Sequence, residues 1–116
     1  MPVIRSREWT PPPSFLTRKL MPDEAMPDKS LIRKWGVDTL PPQSACDLHH
    51  HDCDEWWIIF EGKALIETGD EKTTVVAGDM VYTPRGESHR ITAIETTTLA
   101  WIEGPLPTGG RDGHLH

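Results

Sequence analysis

Six histidines occur in this chain, none before His49. Three are consecutive, His49, His50 and His51; His89 stands alone; His114 and His116 close the sequence as GHLH. In a strand, side chains at i and i+2 share one face, roughly 6.6 Å apart along the backbone. His49 and His51 therefore project together, and His50 points the other way. Two imidazoles leaning from such a pair can reach one metal ion at about 2.1 Å each. Glu55 follows the short turn DCD and opens the next strand, where its carboxylate can take a third position. His89 comes from a second hairpin, just after PRGES, where a tight glycine turn can aim it inward. A nitrogen and carboxylate donor set suits Fe(II), Mn(II), Ni(II) or Zn(II), and not Ca(II), which prefers oxygen alone. One such divalent ion is the expected cofactor. Cys53, between His51 and Glu55, is a reserve ligand.

The elements that must position these groups are short strands. ACDLHHH, EWWIIFE, KALIET, KTTVVA, MVYT, SHRITAI and TTTLAWIE are cut by DCD, EG, GDE, GD, PRGE and IE. LIRKW precedes them as a further strand and GVDTLPPQS reads as turn. Glycine tolerates positive φ and proline presets a turn, so the breaks have a mechanism. Val, Ile, Thr and Trp in the segments suit a pleated, half-buried surface. Beyond the first thirty residues no sustained 3.6-residue period competes. The pattern predicts an all-β sandwich or barrel over residues 31–106. Within EWWIIFE, Trp57 and Ile59 share the face of Glu55 and line the cavity, while Trp56, Ile58 and Phe60 face outward. Trp57 and Trp101 are candidate ligand-binding aromatics, Tyr82 a candidate proton-transfer group beside Glu55.

Eight of the eleven prolines lie between Pro2 and Pro42. Proline lacks the ladder donor and fixes φ, so residues 1–30 read as an extended arm with one short helical turn. Trp9, Phe15, Leu16 and Leu20 anchor that arm on the barrel or on a partner subunit. Residues 107–116 form a C-terminal tail, expected to be disordered; the alternative is that it folds over the barrel mouth and offers a proton-transfer histidine.

At 36% hydrophobic and 26% charged residues, the composition is that of a globular chain. The net charge of −6, with no basic cluster, disfavours a nucleic-acid partner. The longest apolar run, Trp56–Phe60, is far short of the roughly 20 residues a membrane span needs. The first residues lack the apolar core of a secretory signal, so a cytoplasmic location is expected and Cys46 and Cys53 are read as free thiols.

The segment HHHDCDEWWIIFEG, His49 to Gly62, resembles the first motif of the cupin superfamily: two histidines one residue apart, a glutamate, then a glycine. GDMVYTPRGESH resembles the second, with Gly78, Pro84, Gly86 and His89 at the family spacing. Two positions depart from it. Gln43 stands where the first motif opens with glycine, and Ala93 where the second closes with asparagine. The resemblance implies a double-stranded β-helix, a jelly-roll barrel, with the Pro-rich arm added to it. It implies that His49, His51, Glu55 and His89 are the ligands, and that two subunits pair as a homodimer.

An ion so held keeps one or two positions open, for polarising a substrate oxygen or activating water or dioxygen. Similar small proteins include isomerases, lyases, dioxygenases and binding modules. The leading expectation is isomerase or lyase chemistry on a small oxygenated metabolite such as a sugar, sugar acid or keto acid. An Fe(II) dioxygenase and a non-catalytic small-molecule-binding module are the alternatives.

Overall fold

The computed structural model describes residues 2–8, 17–18 and 25–116. The arm anchors Trp9, Phe15, Leu16 and Leu20 lie outside the described residues. Of the arm itself, a 3₁₀ turn at Ser6–Glu8 and a two-residue strand β1 (Thr17–Arg18) are described. The remaining strands are β2 (Lys34–Leu40), β3 (Glu55–Glu61), β4 (Lys63–Thr68), β5 (Glu71–Val76), β6 (Met80–Thr83), β7 (His89–Ala93) and β8 (Thr97–Glu103). All pairings among them are antiparallel, in one sheet of order β1-β2-β8-β3-β6 and another of order β5-β4-β7. This is the expected all-β jelly roll.

Alternation builds its interior. Along β3, Glu55, Trp57 and Ile59 are buried while Trp56 and Ile58 are half-buried. On β8 the inward row is Thr97, Leu99, Trp101 and Glu103, and on β7 it is His89, Ile91 and Ala93. Register stacks these rows in layers: Glu55 opposite Glu103, Trp57 opposite Trp101, Ile59 opposite Leu99. The barrel therefore has a polar mouth, an aromatic waist and an aliphatic base. Leu40, Ala64, Ile66, Val75, Ile91 and Ala93 close the base. Burying one such side chain, Ile59 for example, contributes ~1.5–3 kcal/mol.

Two sequence expectations are corrected. The stretch from Gly36 to Leu40 is not turn but most of β2, which pairs with β8 along its whole length. Val37, Thr39 and Leu40 find cross-strand partners there, and that pairing overrides the glycine as a breaker. The histidine segment is not a regular strand either. It touches the barrel through isolated bridges, Ala45 to Thr92 and His49 to His89.

Gln43 adopts φ 69°, a left-handed conformation that suits glycine and costs another residue about 1–2 kcal/mol. Its N–H donates to the carbonyl of Ala93 at 2.8 Å. The two departures from the motif pattern thus meet in one hydrogen bond.

Gly36 lies opposite Trp101 in the β2–β8 register. A Cβ there would sit 2.5 Å from the indole Cζ2. The missing side chain is what lets the indole lie across β2. Gly36→Ala should cost about 1–3 kcal/mol, as overpacked cores do. Urea unfolding checks this, and an unchanged midpoint would contradict the packing described.

Candidate metal centre

Three imidazoles arrive at the barrel mouth by different routes. His49 is fixed by a reciprocal backbone bridge to His89, with N···O distances of 3.1 and 2.7 Å. The His51 carbonyl accepts the N–H of Gly86, whose φ of 83° turns the chain into β7. His89 opens β7 and Glu55 opens β3. His49, His51, Glu55 and His89 are all buried. The i, i+2 argument for His49 and His51 holds although the strand is irregular, and His50 is only half-buried, turned outward.

Each imidazole has its Nδ1 against a backbone carbonyl: His49 with Asp47 at 2.7 Å, His51 with Gly113 at 3.1 Å, His89 with Glu87 at 3.0 Å. A carbonyl only accepts, so these partners place a ring hydrogen on Nδ1, and in the neutral imidazole the lone pair is then on Nε2. Backbone partners orient metal-ligating histidines in this way. Two of the Nε2 atoms converge on Glu55: His89 Nε2 lies 3.2 Å from Oε1, and His51 Nε2 3.5 Å from Oε2. Glu55 Oε1 and His89 Nε2 are buried and make no hydrogen bond. Two acceptor atoms face each other in a buried site, an arrangement that is costly until a cation, a proton or a metal ion, joins them. The residues present therefore fit a divalent transition ion.

The four expected ligands do not form one equidistant set. The ligand atoms of His51, Glu55 and His89 lie within 4.8 Å of one another. His49 belongs to a second such group, with His51 and His114. It nevertheless stays in the cluster, its ring centroid 4.5 Å from that of His89. Burial pushes the His49 imidazole down to about 4, against the pull of its bond to Asp47. At neutral pH it is an uncharged donor.

Several expectations are corrected here. Tyr82 pairs with Trp56 across β3 and β6, is half exposed, and stacks on that indole at 5.5 Å. Alternation puts it on the outer face, away from Glu55. Cys53 Sγ does not join the donors. It contacts Glu103 Oε1 at 3.7 Å and Arg33 Nη2 at 3.6 Å, and burial pushes its thiol up to about 11. Both cysteines are free. The tail is not loose: His114 stacks on His49 with centroids 3.8 Å apart. His116 is exposed.

Below the donors lies a cavity of about 50 Å³, walled by Leu40, Trp57, Ile91, Leu99 and Trp101 and reached by Asp38 and His114. Trp57 also meets His89 edge-on at 5.1 Å. Glu103, overlooked in the sequence reading, sits 3.3 Å from His51 Nδ1 and 3.6 Å from Arg33. Alternation from Trp101 was the signal for it. Asp38 was hidden by reading its stretch as turn.

Burial, reinforced by Glu55, pushes Glu103 up to about 6. In metal-free protein the two shifts oppose each other. His49, depressed from 6.5, gives up stability as pH falls from 6.5 towards 4. Glu103, raised from 4.5, restores stability as pH falls from 6 to 4.5. Chelator-treated wild type should therefore be nearly flat between pH 6 and 4.5. Glu103→Gln should lose stability through the same interval, by up to ~1.4 kcal/mol per pH unit. Urea titrations at several pH values measure the difference, and parallel curves would refute it.

A two-sheet antiparallel jelly-roll barrel with a buried histidine and carboxylate cluster at its mouth defines a metal-binding class of small β-barrel. The cupin domain family model matches residues 36–104, and the chain belongs to that family. It is 31% identical over 110 residues to the oxalate-binding protein of Thermotoga maritima, covering 86% of this chain and 89% of that one. It is 34% identical over 98 residues to the uncharacterized protein y4oW of Sinorhizobium fredii, but spans 43% of that protein's length. The crystal structure of a predicted oxalate decarboxylase from Thermotoga maritima superposes with a TM-score of 0.71 at 28% identity, over 89% of this chain and 99% of that one. KdgF from Halomonas superposes at 0.66 with 16% identity, over 84% and 88%, a likeness of fold. No helix among the described residues is long and apolar enough to cross a membrane.

Proposed function

We propose that this chain holds one divalent transition ion on His49, His51, Glu55 and His89, and acts as a lyase on a small oxygenated acid. The observation that carries the reading is the buried donor cluster: His51, Glu55 and His89 within 4.8 Å of one another, His49 beside them, and each Nδ1 set against a backbone carbonyl. Fe(II), Mn(II), Ni(II) or Zn(II) suits that donor set. When bound, such an ion supplies Lewis-acid polarisation of an acid's oxygens. The protein's part is to orient the acid and exclude water, with Trp57 and Trp101 as the walls.

Cavity size narrows the substrate class. About 50 Å³ holds roughly four water-sized units at 10–15 Å³ each. A two- or three-carbon dicarboxylate or keto acid suits that space. The names of the Thermotoga relatives support oxalate as the first acid to test. Its cleavage balances as HC₂O₄⁻ → CO₂ + HCO₂⁻. The other Thermotoga name, a binding protein, favours a second reading, metal-dependent capture without turnover.

The test is purified protein loaded separately with each of the four metals and offered oxalate, malonate or pyruvate. Melting temperature, product by NMR and dissolved O₂ are followed together. Metal-dependent stabilisation with product and no O₂ loss is expected. Stabilisation without product selects the binding reading. Stoichiometric O₂ uptake would replace the lyase by a dioxygenase.

A further inference from the structure

The segment Arg111–Leu115 is tied across the barrel mouth along its length. Arg111 donates from its backbone N–H and its Nε to Asp52 Oδ2 at 2.8 and 3.0 Å. Asp112 receives Arg33 Nη1 at 3.0 Å and Lys34 Nζ at 2.9 Å. The Gly113 carbonyl accepts His51 Nδ1. Leu115 exchanges both backbone hydrogen bonds with His50, each 2.9 Å.

His114 is therefore held from both sides, and the ties bring its ring over His49, 18° from parallel. It lines the cavity and sits 5.2 Å, centroid to centroid, from His51. Ligand nitrogens of His49, His51 and His114 come within 4.8 Å of one another, and this group shares His51 with the inner one. Nδ1 of His49 and of His51 is bonded to a carbonyl, which orients both rings at the mouth. The outer group has His49 and His51 in common with the four-residue centre, so His114 lies beside two of the same ligands.

We propose that His114 is a further ligand of the metal centre, delivered by this strap from the mouth side. The proposal rests on the metal reading above. It makes the strap part of the site.

Co(II) is the probe, because its visible d–d spectrum reports the donor set. Full-length wild type, His114→Ala, His114→Gln and His116→Ala are titrated with Co(II) against a chromophoric chelator, and release into EDTA is timed. Both His114 variants should bind at least tenfold more weakly, show a shifted d–d spectrum and release the ion faster. His116→Ala should match wild type. Unfolding of the metal-free variants confirms that each is folded, and the glutamine variant preserves bulk if alanine does not fold. Wild-type affinity and spectrum in either folded His114 variant would overturn the proposal while leaving the four-residue centre intact. Failure of wild type itself to bind Co(II) would remove both.

Discussion

His51→Ala abolishes the stabilisation that divalent metal confers. His51 belongs to both ligand groups, so its loss leaves each with two donors. Wild type in free metal at about 100 times its Kd should gain ~2.7 kcal/mol of unfolding free energy. The variant at the same free metal should gain almost none. Its metal-free stability should fall far less than the loaded difference. The truncation leaves a void, but it also removes one of the acceptors crowded around Glu55, 3.5 Å away. His50→Ala is the control, because that ring faces away from the cluster and its backbone alone bonds Leu115. Calorimetric titration and thermal unfolding with Ni(II) or Zn(II) settle the comparison. Equal metal affinity in His51→Ala and wild type would rule out the centre as described.

Gly62→Val removes the fold rather than the site. Gly62 joins β3 to β4 with φ 92°, which costs a side-chain-bearing residue about 1–2 kcal/mol wherever it occurs. Here space forbids a side chain as well. A Cβ would stand 2.0 Å from the Thr96 carbonyl oxygen and 2.8 Å from Thr97 Cα. Those are backbone atoms held by a dense set of bonds. The Lys63 carbonyl accepts the N–H of Ile94 at 2.8 Å, that of Glu95 at 3.1 Å and the Thr97 hydroxyl at 3.0 Å. Relief would require pulling the β7–β8 connection off the barrel. A loss above ~4 kcal/mol is expected, a large part of the 5–15 kcal/mol that stabilises a typical domain. Gly78→Ala and Gly109→Ala calibrate it. Both have positive φ but open space around the missing Cβ, so each should cost only the conformational 1–2 kcal/mol. If Gly62→Val unfolds at the same urea concentration as Gly78→Ala, the close approach to Thr96 is not real.

Much of this was legible in the chain because it depends on local geometry. A period of two along EWWIIFE places Glu55, Trp57 and Ile59 on one face without any knowledge of the partner strand, and burial follows it. The same period separates His50 from its neighbours. Gly62 and Gly86 marked turns that the backbone does make with positive φ. The donor chemistry, imidazole nitrogen with one carboxylate, is carried by residue type alone.

What was not legible depends on register and on contacts between distant segments. Tyr82 had the right chemistry, and only its pairing with Trp56 sends it to the outer face. Residues 36–40 look like a turn until β8 supplies a strand beside them.

From residue types and spacing came the barrel class, the ligand candidates and the cavity-facing aromatics, because alternation and turn formation act over a few residues. The folded molecule alone decided which donors meet, which nitrogen each imidazole presents and that His114 belongs at the mouth. Those outcomes are set by hydrogen bonds closed between chain segments as far apart as His51 and Gly113, and no local pattern encodes where such segments come together.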